Sequence, residues 1–356
     1  LRKVARKSYI PTNEMLLELL QKYPDFRLSI SITGTFIEQC EAWAPEVLRS
    51  FQELVATGRV DIVAETYHHS LAFFYSRFEF EKQVMMHREK VQQVFGVTPR
   101  VFRNTELAYN DEIGQWAEEA GYKAILAEGW DPHLAWRSPN YVYRPPETSS
   151  IRLLLKNYRL SDDIAFRFSN RDWAEWPLTA DKYFSWLPSG DEQVIDLFMD
   201  YETFGEHQWE DTGIFEFMRA FVGLIHDNPW YDFKTVTEAA DYEPKDVLSM
   251  PQVVTWADNE RDLSAWLGNA MQREAMRYIY ELEGPVLRSG DESLISDWRK
   301  LQTSDHAYYM CTKWFRDGDV HAYFSPYDSP YDAFMHYMNA VRDMRWRILE
   351  QRKGSI

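Results

Sequence analysis

At 356 residues the chain can bury a large core, and its formal charge of −17 at pH 7 argues against nucleic acid or an anionic membrane surface as a partner. Aromatic residues make up 16% of it, with 14 Trp and 21 Tyr, a supply that suits stacking on the apolar faces of sugar rings as well as core packing. Cys40 and Cys311 are the only cysteines, which excludes a disulfide framework or thiolate metal site and makes a reducing compartment such as the cytoplasm the default.

Helix signals alternate with short apolar strands over roughly the first 240 residues, the pattern of a parallel sheet. Thr12 is placed to cap a first helix carrying Met15, Leu16, Leu19 and Leu20. Phe26 to Thr33 follows as a strand. A helix over Ala44 to Thr57 buries Val47, Phe51, Leu54 and Val55 and stops at Gly58. The strand Val60 to Ala64 runs into Glu65-Thr66-Tyr67-His68-His69. A helix near Phe80 to Phe95 ends at Gly96, and Val101-Phe102-Arg103 leads into Asn104-Thr105-Glu106. A helix with Ile113, Trp116, Ala117 and Ala120 inward stops at Gly121, and Lys123 to Ala127 is the next strand.

Val194 to Met199 reads as a further buried strand and Gly213 to Asp227 as a helix with Ile214, Phe217, Phe221 and Leu224 on one face. From about residue 245 the strand signals fade. Arg261 to Glu283 and Tyr331 to Glu350 are long amphipathic patterns, so the division expected is 1–245 for a β/α unit and 246–356 for a helical C-terminal domain. No run of about 18 apolar residues occurs, so no membrane-spanning helix is expected. The chain opens on Leu1 without Met, and the natural start is expected upstream.

Polar clusters fall repeatedly after strands and before helices, where a β/α barrel gathers its loops on one face. The segment Phe198 to His207, FMDYETFGEH, sets Asp200, Glu202, Glu206 and His207 in such a loop. A solvated acidic loop is the plain alternative, though Phe204 and Trp209 speak against a fully wetted surface. Glu106 and Asp200 end different strands, and two carboxylates on opposite sides of a sugar suffice to cleave a glycosidic bond. Arg103 and Asn104 beside Glu106 would hold it ionised, while Glu202 near Asp200 would raise the pKa of an acid. A structural Glu106–Arg103 pair is the competing reading. His68 and His69 are positioned for sugar hydroxyls or for packing. A metal site from His68, His69, His207 and nearby Asp has no tight ligand spacing such as HExxH behind it, so no metal or cofactor is expected.

The segments AETYHHS (64–70), FRNTELAYND (102–111), FMDYETFGEH (198–207) and TVTEAA (235–240) resemble, in order and spacing, the conserved regions of family 57 glycoside hydrolases. TWADNERDLSAWLGNAMQ (255–272) and DGDVHAYFSPYDSPYDAF (317–334) resemble its α-amylase-like branch. The resemblance implies an incomplete seven-stranded (β/α) barrel followed by a helical domain, acting on α-glucans with retention of configuration. It places the nucleophile on Glu106, the general acid on Asp200 and the motif histidine on His69, or less naturally His68. Glu202, His207, Glu238, Trp256 and Asp258 would contact substrate. The carboxyl groups of a retaining pair stand roughly 5 to 5.5 Å apart. The family's first strand, with a His-Gln-Pro type motif, has no counterpart before the first helix. An α-1,4-glucan hydrolase is the leading expectation. A 4-α-glucanotransferase or branching enzyme, a catalytically impaired glucan-binding protein, and a metal-dependent carbohydrate deacetylase are its rivals.

Overall fold

The computed structural model describes residues 1–313 and 325–353, so part of the 317–334 stretch lies outside the described residues. The described residues hold seven strands: β1 Leu28–Ser31, β2 Val60–Val63, β3 Val101–Arg103, β4 Ala124–Glu128, β5 Tyr143–Arg144, β6 Arg152–Lys156 and β7 Asp246–Val247. β1 and β2 are parallel with Leu28 opposite Val60 and Ser31 opposite Val63. β3, β4 and β6 are parallel in that spatial order. The backbone of Ala64 joins the two sets: its N–H donates to Val101 O and its carbonyl accepts from Arg103 N, each at 2.8 Å. β5 runs antiparallel to β6 and carries β7 on its other side.

Alternation along these strands divides the apolar side chains between two environments, as the two-residue repeat of a strand requires. Phe102, Ile125, Leu153 and Leu155 join a large core with Phe80, Ile113 and Trp116 from the covering helices. Val63, Val101, Ala124, Leu126 and Leu154 meet instead in a smaller core with Ala239 and Ala240. The second group is sealed by the short helix Val236–Ala239, whose first N–H groups donate to the side chains of Ser29 and Asp61.

The helices start and stop where their end groups find partners. Ser76 accepts from Glu79 N at the start of Arg77–Phe95, which ends on the left-handed Gly96. Asn110 does the same for Asp111–Glu119 through Ile113 N. Thr12 proves not to be a cap. Continuous helical backbone runs from Arg2 to Lys22, through a π-type turn over Ala5–Tyr9, and buried Thr12 donates to Phe204 O at 3.3 Å instead.

Val194 to Met199 is not a ladder strand. It meets β6 at one parallel bridge, Lys156 with Asp196, where Asn157 N donates to Asp196 O at 2.8 Å. Among the described residues β1 pairs only with β2. A single bridge fixes one point of register and does not extend into a ladder.

The pattern Arg261 to Glu283 is likewise broken into Ser264–Leu267 and Ala270–Glu281, because Asn269 and Gln272 form a capping box that starts a new helix. Pro330–Lys353 follows the expected last helix closely. No gap in packing marks residue 245: Trp266, Ile279, Trp298, Tyr337 and Val341 share the large core with Phe102, Ile125 and Leu153.

Candidate active site

The carboxyl ends of the parallel strands point their charged residues at one place, the usual position of a site in α/β sheets. Glu65 and His69 follow β2, Arg103 and Glu106 sit at and after β3, Glu128 ends β4, and Lys156 ends β6. Asp200 follows the bridged segment.

Glu106 is held in a tight turn, Thr105–Leu107, in which both Glu106 (φ 59°) and Leu107 (φ 52°) are left-handed. Such backbone costs about 1–3 kcal/mol per residue and persists where the surroundings enforce it. Here Asn104 donates from its side-chain amide to Ala108 O at 3.0 Å, and the Thr105 and Thr66 hydroxyls share a 2.9 Å hydrogen bond. The Glu106 carboxylate is thereby presented to two donors. His69 Nε2 donates to Oε1 at 2.8 Å and the Trp256 indole to Oε2 at 2.7 Å.

His69 is itself left-handed (φ 51°) and donates through Nδ1 to Glu65 Oε2 at 3.3 Å. With both ring nitrogens donating to carboxylates the ring is an imidazolium. Burial lowers its pKa, but the hydrogen bonds and charges of Glu106 and Glu65 outweigh that and raise it to about 10. Glu65 is buried, takes a 2.7 Å hydrogen bond from Ser31 and lies 3.6 Å from Arg103 Nη1. Burial raises its pKa, and His69, Arg103 and His87 bring it down to about 2. Arg103 therefore pairs with Glu65 and reaches Glu106 only through its field, so the structural Glu106–Arg103 pair is not formed.

The two candidate carboxylates are driven in opposite directions. Burial raises the pKa of Glu106, yet His69, Arg103 and Trp256 together hold it below the ordinary glutamate value. Asp200 is raised chiefly by its enclosure within the protein; His207 is the largest charge acting on it and lowers it, Glu106 raises it, and Arg103 and Lys156 lower it further. Asp200 is nonetheless open to solvent. The charge of Glu106 reaches Asp200, and the two carboxyl groups are shifted in opposite directions.

The other expected residues separate. Glu202 takes a hydrogen bond from the Tyr9 hydroxyl, and its pKa is raised by burial and by Asp200. His207 acts on both Asp200 and Glu202 through its charge. Glu206, buried in the same segment, faces away to Lys7 at 2.9 Å. Gly205 between them is left-handed (φ 98°), and a Cβ there would lie 1.9 Å from Lys7 O, so only glycine lets the loop dock on the first helix. Asp258 is bound by Lys313 at 3.3 Å.

Two residues do not join the cluster. His68 is buried against Tyr67, bonded through Nδ1 to Thr35 Oγ1 at 3.0 Å, and kept neutral by burial with its pKa near 3. Glu238 returns its carboxylate to Thr235 N at 2.9 Å as half of a capping box and pairs with Arg27 at 3.5 Å, by the helix that seals the smaller core. Among the described residues no three His, Cys, Asp or Glu side chains come together as a metal site. Sequence reasoning missed Glu65, although it stands directly after β2, and missed Lys156 because β6 was not read as a strand. Tyr308 from the C-terminal helices, whose pKa is raised by burial and then by Glu106, Asp258 and Asp200, gave no local signal.

Residues 1–251 match the family model described as glycosyl hydrolase family 57. A Methanocaldococcus jannaschii protein that carries an alpha-amylase name is 46% identical over 361 aligned residues, covering 98% of this chain and 76% of its own length. Among solved structures, a family 57 branching enzyme of Pyrococcus horikoshii superimposes with a TM-score of 0.72 at 14% identity, over 94% of this chain and 83% of that one. The 4-alpha-glucanotransferase of Thermococcus litoralis gives 0.63 at 17% identity; 86% of this chain spans 52% of that chain's length. At such identities the two structures speak for the fold. With the family model and the M. jannaschii relative covering most of its length, the chain belongs to glycosyl hydrolase family 57.

Proposed function

We propose that the protein hydrolyses α-1,4-glucans with retention, using Glu106 as nucleophile and Asp200 as general acid and base, on an incomplete (β/α) barrel formed by residues 1–245 with a helical domain, 246–356, packed against it. The opposed environments of Glu106 and Asp200 carry this reading. An ionised Glu106 attacks the anomeric carbon while Asp200 donates its proton to the glycosidic oxygen, and the first half-reaction leaves a glycosyl ester on Glu106 and a free sugar hydroxyl. Asp200, now ionised, takes a proton from water, whose oxygen displaces Glu106 and restores the configuration. His69 and Trp256 hold the attacking carboxylate in place. The two cysteines, both buried, suit a reducing compartment such as the cytoplasm.

The test is reducing-end release from soluble starch by the parent and by Glu106→Gln. The variant is expected to lose at least about a thousand-fold in kcat/KM. Equal residual release from both would overturn the assignment. A number of reducing ends that stays constant while chain lengths or branching change would instead identify transfer to a sugar acceptor.

A further inference from the structure

Trp256 belongs to a loop, Thr255 to Asp262, that arrives from the C-terminal side of the sheet and touches the Glu106 turn twice. Its backbone N–H donates to Glu106 O at 3.3 Å and its indole to Glu106 Oε2 at 2.7 Å. The loop closes on itself through Thr255 N to Arg261 O at 2.9 Å and Thr255 Oγ1 to Asp262 O at 2.8 Å. It contains two left-handed residues that are not glycine, Asp258 (φ 55°) and Arg261 (φ 52°), so its conformation is held by something outside it.

The Arg261 side chain, only 13% exposed, supplies that hold. Nη1 donates to Trp256 O, Nη2 lies 3.5 Å from Asp162 Oδ2, and Nε lies 3.8 Å from Glu128 Oε2. The guanidinium also covers the Tyr158 ring at 5.0 Å. Lys156 shares both carboxylates, at 3.7 Å from Glu128 and 3.4 Å from Asp162, and stands 5.2 Å over the Trp256 ring. Glu128 and Lys156 are paired residues at the ends of β4 and β6, so the anchor is rigid sheet.

We propose that Arg261 is a positioning residue that latches the 255–262 loop to Glu128 and Asp162 and so sets the hydrogen bond from the Trp256 indole to Glu106. A guanidinium reaches a carbonyl and two carboxylates at once because its donors lie in a planar fork; an ammonium at the same place does not. The consequence for turnover rests on Glu106 being the nucleophile, whereas the latch itself does not.

The experiment uses full-length ¹⁵N-labelled protein, with the Trp256 indole N–H resonance assigned by its loss in Trp256→Phe. In Arg261→Met the resonance is expected to move upfield and to stop following the titration of Glu106, and Arg261→Lys is expected to regain thermal stability without regaining the resonance. With maltoheptaose, Arg261→Met should lose about tenfold in kcat and shift the acid limb of the pH profile upward, and the double variant with Trp256→Phe should be no worse than Trp256→Phe alone. A folded Arg261→Met that keeps the parent resonance overturns the latch. If that variant does not fold, Asp162→Asn, which removes one of the two anchors, is read by the same resonance with the same outcomes. A parent protein without turnover would overturn the functional reading alone, since the resonance needs no substrate.

Discussion

His69 stands between Glu106 at 2.8 Å and Glu65 at 3.3 Å, and the three groups make one electrostatic unit. Its pKa, raised from 6.5 to about 10, means that the stabilisation it brings is complete below 6.5 and is lost as pH rises through about 10. Glu65, depressed from 4.5 to about 2, contributes above 4.5 and loses that contribution as pH falls toward 2. Replacing His69 with Phe leaves two buried carboxylates facing each other, a loss of about 3 kcal/mol in urea unfolding at neutral pH. The difference between parent and variant should shrink between pH 6.5 and 10; a difference independent of pH there would refute the charged imidazolium. The proposed pair of Glu106 and Asp200 predicts a bell-shaped kcat/KM, with the acid limb set by protonation of Glu106 below its ordinary range and the alkaline limb by ionisation of Asp200 above its own. Asp200→Asn should abolish the alkaline limb along with most of the rate, and a limb that survives in the residual activity belongs to another group.

At the scale of elements, the helix Val236–Ala239 separates a motif resemblance from a role. Glu238 and Thr235 exchange hydrogen bonds across its first turn, and Glu238 is turned toward Arg27. Glu238→Ala should therefore cost about 1 kcal/mol of stability and leave kcat/KM within about twofold of the parent. A collapse of activity without loss of melting temperature would return Glu238 to the substrate. Much of the fold was legible by the same local rules. Gly96 and Gly121 at helix ends, the β-branched residues of β2 and the polar residues at strand ends all name boundaries from nearest neighbours alone. The expectation that Glu106 and Asp200 act together rests on their each following an apolar run, and the charge of Glu106 does reach Asp200. What was not legible depended on distant partners. Thr12 looked like a cap until the π-type turn before it carried the helix on. Val194 to Met199 looked like a strand, but it meets β6 at a single bridge, and pairing with a distant segment is not written in the local pattern. Trp256 and Tyr308 reach the cleft only because the C-terminal helices pack back onto the sheet, and no local pattern encodes that return.

At the scale of the whole molecule, the large core spans the division at residue 245, so one cooperative unfolding transition is expected. Phe80 and Phe102 pack in the same cluster as Trp298 and Tyr337, and buried polar links run beside them. Glu79 accepts from Arg299 Nε at 2.9 Å and Nη2 at 3.2 Å, and Gln83 donates to Gln302 at 2.9 Å. The same helices hold the cleft together, since Ser304 N donates to His69 O at 2.9 Å. Arg299→Met removes the cation from a buried carboxylate whose pKa is already raised by burial, so the variant should lose about 3–5 kcal/mol. The sign with pH follows from Glu79. Without Arg299 its carboxyl is pushed further up, so as pH falls and Glu79 takes up a proton the variant should recover more stability than the parent gains. Calorimetry should show a single transition for both proteins, with the variant's midpoint lower and starch hydrolysis lost in step with the core. Two separate transitions, the earlier one leaving residues 1–245 folded, would show that the helical part is an independent domain and that the cleft can stand without it.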